Sequence, residues 1–142
     1  MERRPLVLVA DDDSDILELV RMRLARSGYD PLLASDGAEA LTLARAYLPD
    51  VIVLDVGMPV MDGYAVTSEL HKGEETSAIP VILLTARARE RDVDEGMGAG
   101  ADDYITKPFS PEFLTSRVAA MLEVAAERRR AEQPTARGVA RS

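Results

Sequence analysis

Short runs of continuous apolar residues alternate with segments of helical period, and the alternation recurs along most of the chain. Residues 6–10, 31–34, 51–54, 81–84 and 104–105 are the strand candidates. Their apolarity is continuous rather than alternating, which marks strands buried on both faces, as in a parallel sheet covered by helices. Between them, Ile16, Val20 and Leu24 recur at helical spacing with Leu17 alongside, and this first helix is expected to end near Ser27-Gly28. Asp36 followed by Glu39 has the form of a capping box, opening a second helix through Leu41, Ala44 and Leu48 that stops before Pro49. A third helix is expected after Asp62-Gly63. A fourth, over roughly residues 90–99, has few apolar anchors, mainly Val93 and Met97. It contains Gly96 and Gly98, each costing a helix interior about 1 kcal/mol relative to Ala. Those glycines read either as turn formers or as the mark of a mobile element. The last helix has the clearest grammar, with Ser110 as N-cap, Pro111 at the first helical position, and Leu114, Val118, Met121, Leu122 and Ala125 on one face.

Strict alternation of strand and helix implies right-handed crossovers. The expected fold is therefore α/β, a doubly wound five-stranded parallel sheet in the flavodoxin-like order 2-1-3-4-5 with helices on both faces. Residues 1–125 form one domain in this reading. Residues 126–142 form the end of the last helix and a flexible basic tail or linker.

Composition narrows the classes. With 46% hydrophobic and 30% charged residues among 142, and no long apolar run, the chain reads as globular with no membrane anchor. The N-terminus lacks the apolar stretch and cleavage site of a signal peptide, so a cytoplasmic location is expected. There are no cysteines, which excludes disulfides and thiolate chemistry and requires any metal to be held by oxygen. The net charge of −8 is uneven: from residue 126 onward five arginines face Glu127 and Glu132, a balance of +3, so residues 1–125 carry −11. A body that acidic repels phosphate backbones, and no direct nucleic-acid binding by this domain is expected. Arg128-Arg129-Arg130 read first as cations complementing the dipole at a helix C-terminus, with contact to an acidic partner as the alternative.

In doubly wound sheets ligands bind beyond the carboxyl ends of the strands, at the point where strand order reverses. There the first strand ends in Asp11-Asp12-Asp13, the third in Asp55, the fourth in Thr85-Ala86 and the fifth in Thr106-Lys107-Pro108. Clustered carboxylates repel one another unless a cation intervenes, so a hard, oxygen-seeking cation is implied. Mg²⁺ suits Asp12 and Asp55 as ligands, with Asp11 acting directly or through water, and Mn²⁺ is a substitute. Asp55 also offers a free oxygen for attack on phosphorus, Lys107 a cation, and Thr85 a hydrogen bond to a phosphoryl oxygen.

The run Val9-Ala10-Asp11-Asp12-Asp13, then Leu54-Asp55-Val56-Gly57-Met58-Pro59 with Asp62-Gly63, Leu84-Thr85-Ala86, and the stretch from Gly100 to Phe109 resembles the receiver domain of two-component response regulators. The resemblance covers residues 6 to about 124. It implies Asp55 as phosphoacceptor, Asp11 and Asp12 as the acidic pair for Mg²⁺, and the backbone carbonyl of Gly57 as a further metal ligand. It also implies Thr85 and Tyr104 as a switch pair, Lys107 as the phosphoryl-binding lysine, and a cis Lys107-Pro108 bond. The implied donor is a histidine kinase or histidine phosphotransfer protein. The implied protein modifies itself once and then slowly hydrolyses, without turnover catalysis, and its output face lies at the fourth helix, fifth strand and last helix. Gly57 and Arg87 stand at positions where the family varies. Asp102 or Asp103 is placed to pair with Arg117. Val93, Phe113 and Ala119 stand where winged-helix regulators usually carry charges, which leaves the oligomeric state between monomer and a weak phosphorylation-dependent dimer.

Asp11-Asp12-Asp13-Ser14-Asp15 on its own is also a helix cap with acids in the first turn. An EF-hand fails, because Ile16 and Met22 occupy the required Gly and Glu positions. A flavin module lacks a hydroxyl-rich phosphate loop after strand one. His71, the only histidine, reads as solvated. The rival enzyme is a Mg²⁺-dependent phosphohydrolase of the haloacid-dehalogenase type, which would put its nucleophile in Asp11-x-Asp13. Output passes to a downstream protein target or to an effector domain of a longer DNA-binding or enzymatic regulator. The ending of the chain in a tail favours the stand-alone form.

Overall fold

The computed structural model describes residues 3–86 and 98–131. In chain order these form β1 (Leu6–Ala10), α1 (Ser14–Arg26), β2 (Asp30–Ala34), α2 (Gly37–Tyr47), β3 (Val51–Asp55), α3 (Gly63–Lys72), β4 (Val81–Thr85), β5 (Asp103–Thr106) and the last helix, α4 (Pro111–Ala131). The strands make one five-stranded sheet in the order β2-β1-β3-β4-β5, every pair parallel. This is the expected doubly wound order. The fourth helix expected near residues 90–99 falls almost entirely outside the described residues.

The continuous apolar runs are explained by two cores, one on each face of the sheet. Leu8, Ala10, Ile52, Leu54 and Leu83 point to one face and pack on Ala40, Leu41 and Ala44 of α2 and Val66 and Leu70 of α3. Val7, Val9, Val51, Val53, Ile82 and Leu84 point to the other, against Val20 and Leu24 of α1 and Leu114, Val118 and Met121 of α4. A side chain of this size contributes roughly 1.5–3 kcal/mol when fully buried, so the three central strands have no solvent face to spare for polar residues. The edge strands β2 and β5 are only partly covered.

Local chemistry sets the helix ends. Asp13 caps α1 by accepting from the N–H groups of Asp15 and Ile16. Asp36 caps α2 by accepting from Glu39, whose carboxylate reaches back to the Ser35 N–H at 2.7 Å, one residue earlier than in the usual reciprocal box. The C-cap of α2 is Leu48, in the left-handed region with φ 47°, just before Pro49. Asp62 caps α3, and the Ser110 hydroxyl caps α4 through the Phe113 N–H.

At the amino ends of the strands, buried Asp50 accepts from the Leu6 N–H at 2.7 Å and from the guanidinium groups of Arg3 and Arg129. Arg128 donates to Asp102 and to the Ala78 carbonyl. The basic run at the end of α4 is thus pinned to the domain, beyond any complement to the helix dipole. The last helix runs to Ala131. Among the described residues no helix is long and apolar enough to cross a membrane.

Candidate functional site: the acidic rim of the sheet

Side chains from four strand ends converge at the carboxyl edge of the sheet. Asp11 follows β1, Asp55 closes β3, Thr85 closes β4 and Lys107 follows β5. Register holds them level, with Asp55 opposite Leu84 and Thr85 opposite Thr106. Asp11 is fully buried and Asp55 and Thr85 nearly so, while Asp12 is exposed at the mouth.

Asp11 has both oxygens engaged: Oδ1 accepts from the Asp13 N–H at 2.9 Å and Oδ2 from Lys107 Nζ at 2.8 Å. Lys107 Nζ also lies 3.2 Å from Asp55 Oδ1. Carboxylate oxygens of Asp11, Asp12 and Asp55 all lie within 4.8 Å of one another. Three carboxylates against one ammonium leave an uncompensated negative charge among hard oxygen donors, a donor set that fits a divalent cation of the Mg²⁺ class.

The electrostatics agree with this picture. Burial, followed by the charge of Asp11, pushes the Asp55 carboxyl above its ordinary range, against the opposing pull of Lys107 and the Gly57 N–H. Burial acts to lower Lys107, but the Asp11 hydrogen bond and the charges of Asp11 and Asp55 outweigh it and hold the ammonium above its ordinary value. Lys107 therefore stays charged.

A cavity of about 330 Å³ opens beside Asp55, lined also by Val56, Gly57, Thr85, Ala86 and Lys107. Among the described residues, and apart from its chain neighbours, no atom lies within 4 Å of where a Cβ at Gly57 would stand. Gly63 is the reverse case. A Cβ there would sit 2.7 Å from the Asp55 carbonyl oxygen, and its N–H donates to Val56 at 3.0 Å, so α3 starts wedged against the end of β3. The Lys107-Pro108 peptide is cis, as the resemblance implies.

The acidic run divides between two places in the structure. Asp13 caps α1, whereas Asp11 and Asp12 face the rim. Asp13 is thereby turned to the helix, away from the arrangement that an Asp11-x-Asp13 catalytic pair requires. Asp103 is the partner of Arg117, and Asp102 pairs with Arg128 while accepting from the Val81 N–H. His71 is exposed, as expected. Tyr104 brings in a residue the sequence did not single out: its hydroxyl lies 2.9 Å from that of Tyr64 on α3. The two are 40 residues apart in sequence, and no local pattern connects them.

The sequence profile of the response regulator receiver domain matches residues 7–119. The alkaline phosphatase synthesis transcriptional regulatory protein PhoP of Bacillus subtilis is 47% identical over 116 residues, which are 82% of this chain and 48% of that protein. The chain spans about half the length of the curated relatives it matches. Among solved structures, the receiver domain of Francisella response regulator 1452 superposes with a TM-score of 0.79 at 40% identity, over 84% of this chain and 98% of that one. The receiver domain of the sensor histidine kinase PA1611 of Pseudomonas aeruginosa PAO1 superposes with a TM-score of 0.79 at 30% identity, over 84% and 98%. That structure has a magnesium ion coordinated in its active-site cleft.

Proposed function

The chain belongs to the response regulator receiver domain family, and from that footing we propose that it is a phosphoacceptor switch in which Asp55 takes a phosphoryl group from a phosphohistidine donor. The observation that carries this reading is the meeting of Asp11, Asp12, Asp55 and Lys107, from strand ends distant in sequence, beside an open cavity that Asp55 and Lys107 line.

Asp55 Oδ attacks phosphorus as the donor nitrogen–phosphorus bond breaks, and the imidazole, already protonated on its other nitrogen, leaves neutral. Asp11, Asp12 and Asp55, with the Gly57 carbonyl, would hold Mg²⁺, or Mn²⁺ in its place. When bound, the cation supplies neutralisation of charge on the transferring group. Lys107 keeps its proton under the influence of both aspartates and offers it to a phosphoryl oxygen. The Thr85 hydroxyl donates to another, and Thr85 and Tyr104 then change arrangement toward the face of β5 and α4. The product is an acyl phosphate on the protein itself, which hydrolyses slowly, so the protein undergoes a switch cycle without acting as a turnover enzyme.

The donor in this reading is a histidine kinase or histidine phosphotransfer protein. A seat for it lies beside the cavity: Ile16 and Leu19 of α1 with Ala86, Pro108 and Phe109 line an apolar hollow of about 460 Å³ that shares Lys107 with the phosphoryl site. Output goes to a protein target or to an effector module, from a monomer or a weak phosphorylation-dependent dimer in the cytoplasm. The acidic body, at −11 over residues 1–125, keeps this domain itself off nucleic acid. A radiolabelled phosphohistidine protein tests the proposal. Label that moves to this chain in a hydroxylamine-labile form supports an acyl phosphate, and label that stays on the donor contradicts it.

A further inference from the structure

We propose that Tyr64 is a positioning residue that holds Tyr104 in its unphosphorylated arrangement and ties it to the backbone of the phosphoacceptor strand. This inference rests on the reading of Asp55 as the phosphoacceptor. It adds a contact, from α3, that reaches Tyr104 independently of Thr85.

The geometry is specific. The hydroxyls of Tyr64 and Tyr104 lie 2.9 Å apart, and either can donate. Both rings are half-buried against the core between the sheet and the α2–α3 layer. Tyr64 directly follows Gly63, whose backbone is seated on the Asp55 carbonyl so closely that a Cβ would stand 2.7 Å from its oxygen. The Gly63 N–H fixes the same turn to Val56 at 3.0 Å. The position of Tyr64 is therefore set by the end of β3, the strand that carries Asp55.

Tyr104 is reached from the other side by β4. It stands opposite Leu83, and Thr85 stands opposite Thr106, so Tyr104 and Thr85 are neighbours on the same face of adjacent strands. Any change in the Tyr104 ring that follows phosphorylation must break its bond to Tyr64. Breaking this 2.9 Å bond costs the new arrangement the free energy of one hydrogen bond, so the Tyr64 hydroxyl weights the equilibrium toward the starting state. Linkage makes the effect reciprocal: whatever stabilises the starting arrangement weakens binding of a phosphoryl mimic by the same factor.

The test is a titration of the full chain with beryllofluoride in the presence of Mg²⁺, read on the ring carbons of labelled tyrosine. The chain has 4 tyrosines, so the Tyr104 signal is assigned by its loss in Tyr104→Phe. Tyr64→Phe is expected to bind beryllofluoride about fivefold more tightly, the worth of one neutral hydrogen bond. In the free variant the Tyr104 signal should already lie part-way to its bound position. Tyr104→Phe deletes the same bond, so adding Tyr64→Phe to it should change affinity no further. Tyr47→Phe, at a ring that is 60% exposed, should leave affinity as in the wild type. Unchanged or weaker binding by Tyr64→Phe, with the Tyr104 signal unmoved, overturns the inference while leaving the phosphoacceptor reading intact. A wild type that fails to bind beryllofluoride with Mg²⁺ removes that reading, and the inference with it.

Discussion

Lys107 donates to Asp11 at 2.8 Å across 96 residues of sequence, and this bond is what makes a fully buried carboxylate tolerable at the rim of the sheet. Removing one partner of such a pair leaves an unpaired buried charge, which costs about 3 kcal/mol. Lys107→Met, which keeps the apolar stem, is therefore expected to unfold at a lower denaturant midpoint than wild type in EDTA. Saturating Mg²⁺ should restore part of the loss, because the cation takes over the neutralising charge. A variant as stable as wild type in EDTA would show that Asp11 does not depend on Lys107.

Asp55 carries the opposite lesson. Its carboxyl is held above the ordinary range by burial and by Asp11, so ionising it weakens the metal-free fold. A folded-state value above the unfolded one contributes stability that is complete below the unfolded pKa, about 4, and is lost as pH rises through the folded value. Asp55→Asn should therefore melt about 2–5 °C above wild type in EDTA at neutral pH. The gap should close as pH falls below the ordinary carboxylate range. Calorimetry across that range checks both the sign and its pH dependence.

Gly57 and Gly63 flank the same site and should respond differently to one added methyl. At position 57 the added methyl meets none of the described residues, so Gly57→Ala should change stability by no more than about 0.5 kcal/mol. At position 63 the methyl meets the Asp55 carbonyl and the Val56 Cα, and α3 must move. Gly63→Ala should cost about 1–3 kcal/mol, measured by urea unfolding. Equal effects at the two positions would contradict the wedge of α3 on β3.

If the apolar hollow beside Lys107 seats a protein donor, it should distinguish protein donors from small ones. Leu19, 51% exposed on α1, lines this hollow and is not among the residues that line the cavity beside Asp55. Leu19→Ala should slow phosphoryl transfer from a histidine-phosphorylated protein by about tenfold, the scale of one interface side chain. The rate with a small acyl phosphate should stay as in wild type. Equal slowing with both donors would place the defect in the site and remove the hollow as a docking seat.

What the sequence revealed and what it hid follow from one distinction. Continuous apolar runs marked β1, β3 and β4 because two-sided burial leaves a one-dimensional trace, and Asp36 and Ser110 were recognisable as caps because capping is local. Asp11, Asp55, Thr85 and Lys107 could be assembled because each stands at a strand end that the fold brings level. The Arg128–Asp102 and Arg129–Asp50 pairs were hidden. Their partners lie 26 and 79 residues away, and a basic run at a helix end already has a local explanation in the dipole. The Tyr64–Tyr104 bond was hidden for the same reason, since Tyr64 sits on a helix face where an aromatic side chain ordinarily signals only packing.

The most direct test of the account is the intact mass of the chain after incubation with a small acyl phosphate and Mg²⁺. The account predicts that wild type gains one phosphoryl mass, that EDTA prevents the gain, and that Asp55→Asn does not acquire it. Asp55→Asn gaining the same mass at the wild-type rate would contradict the assignment of Asp55 as the acceptor.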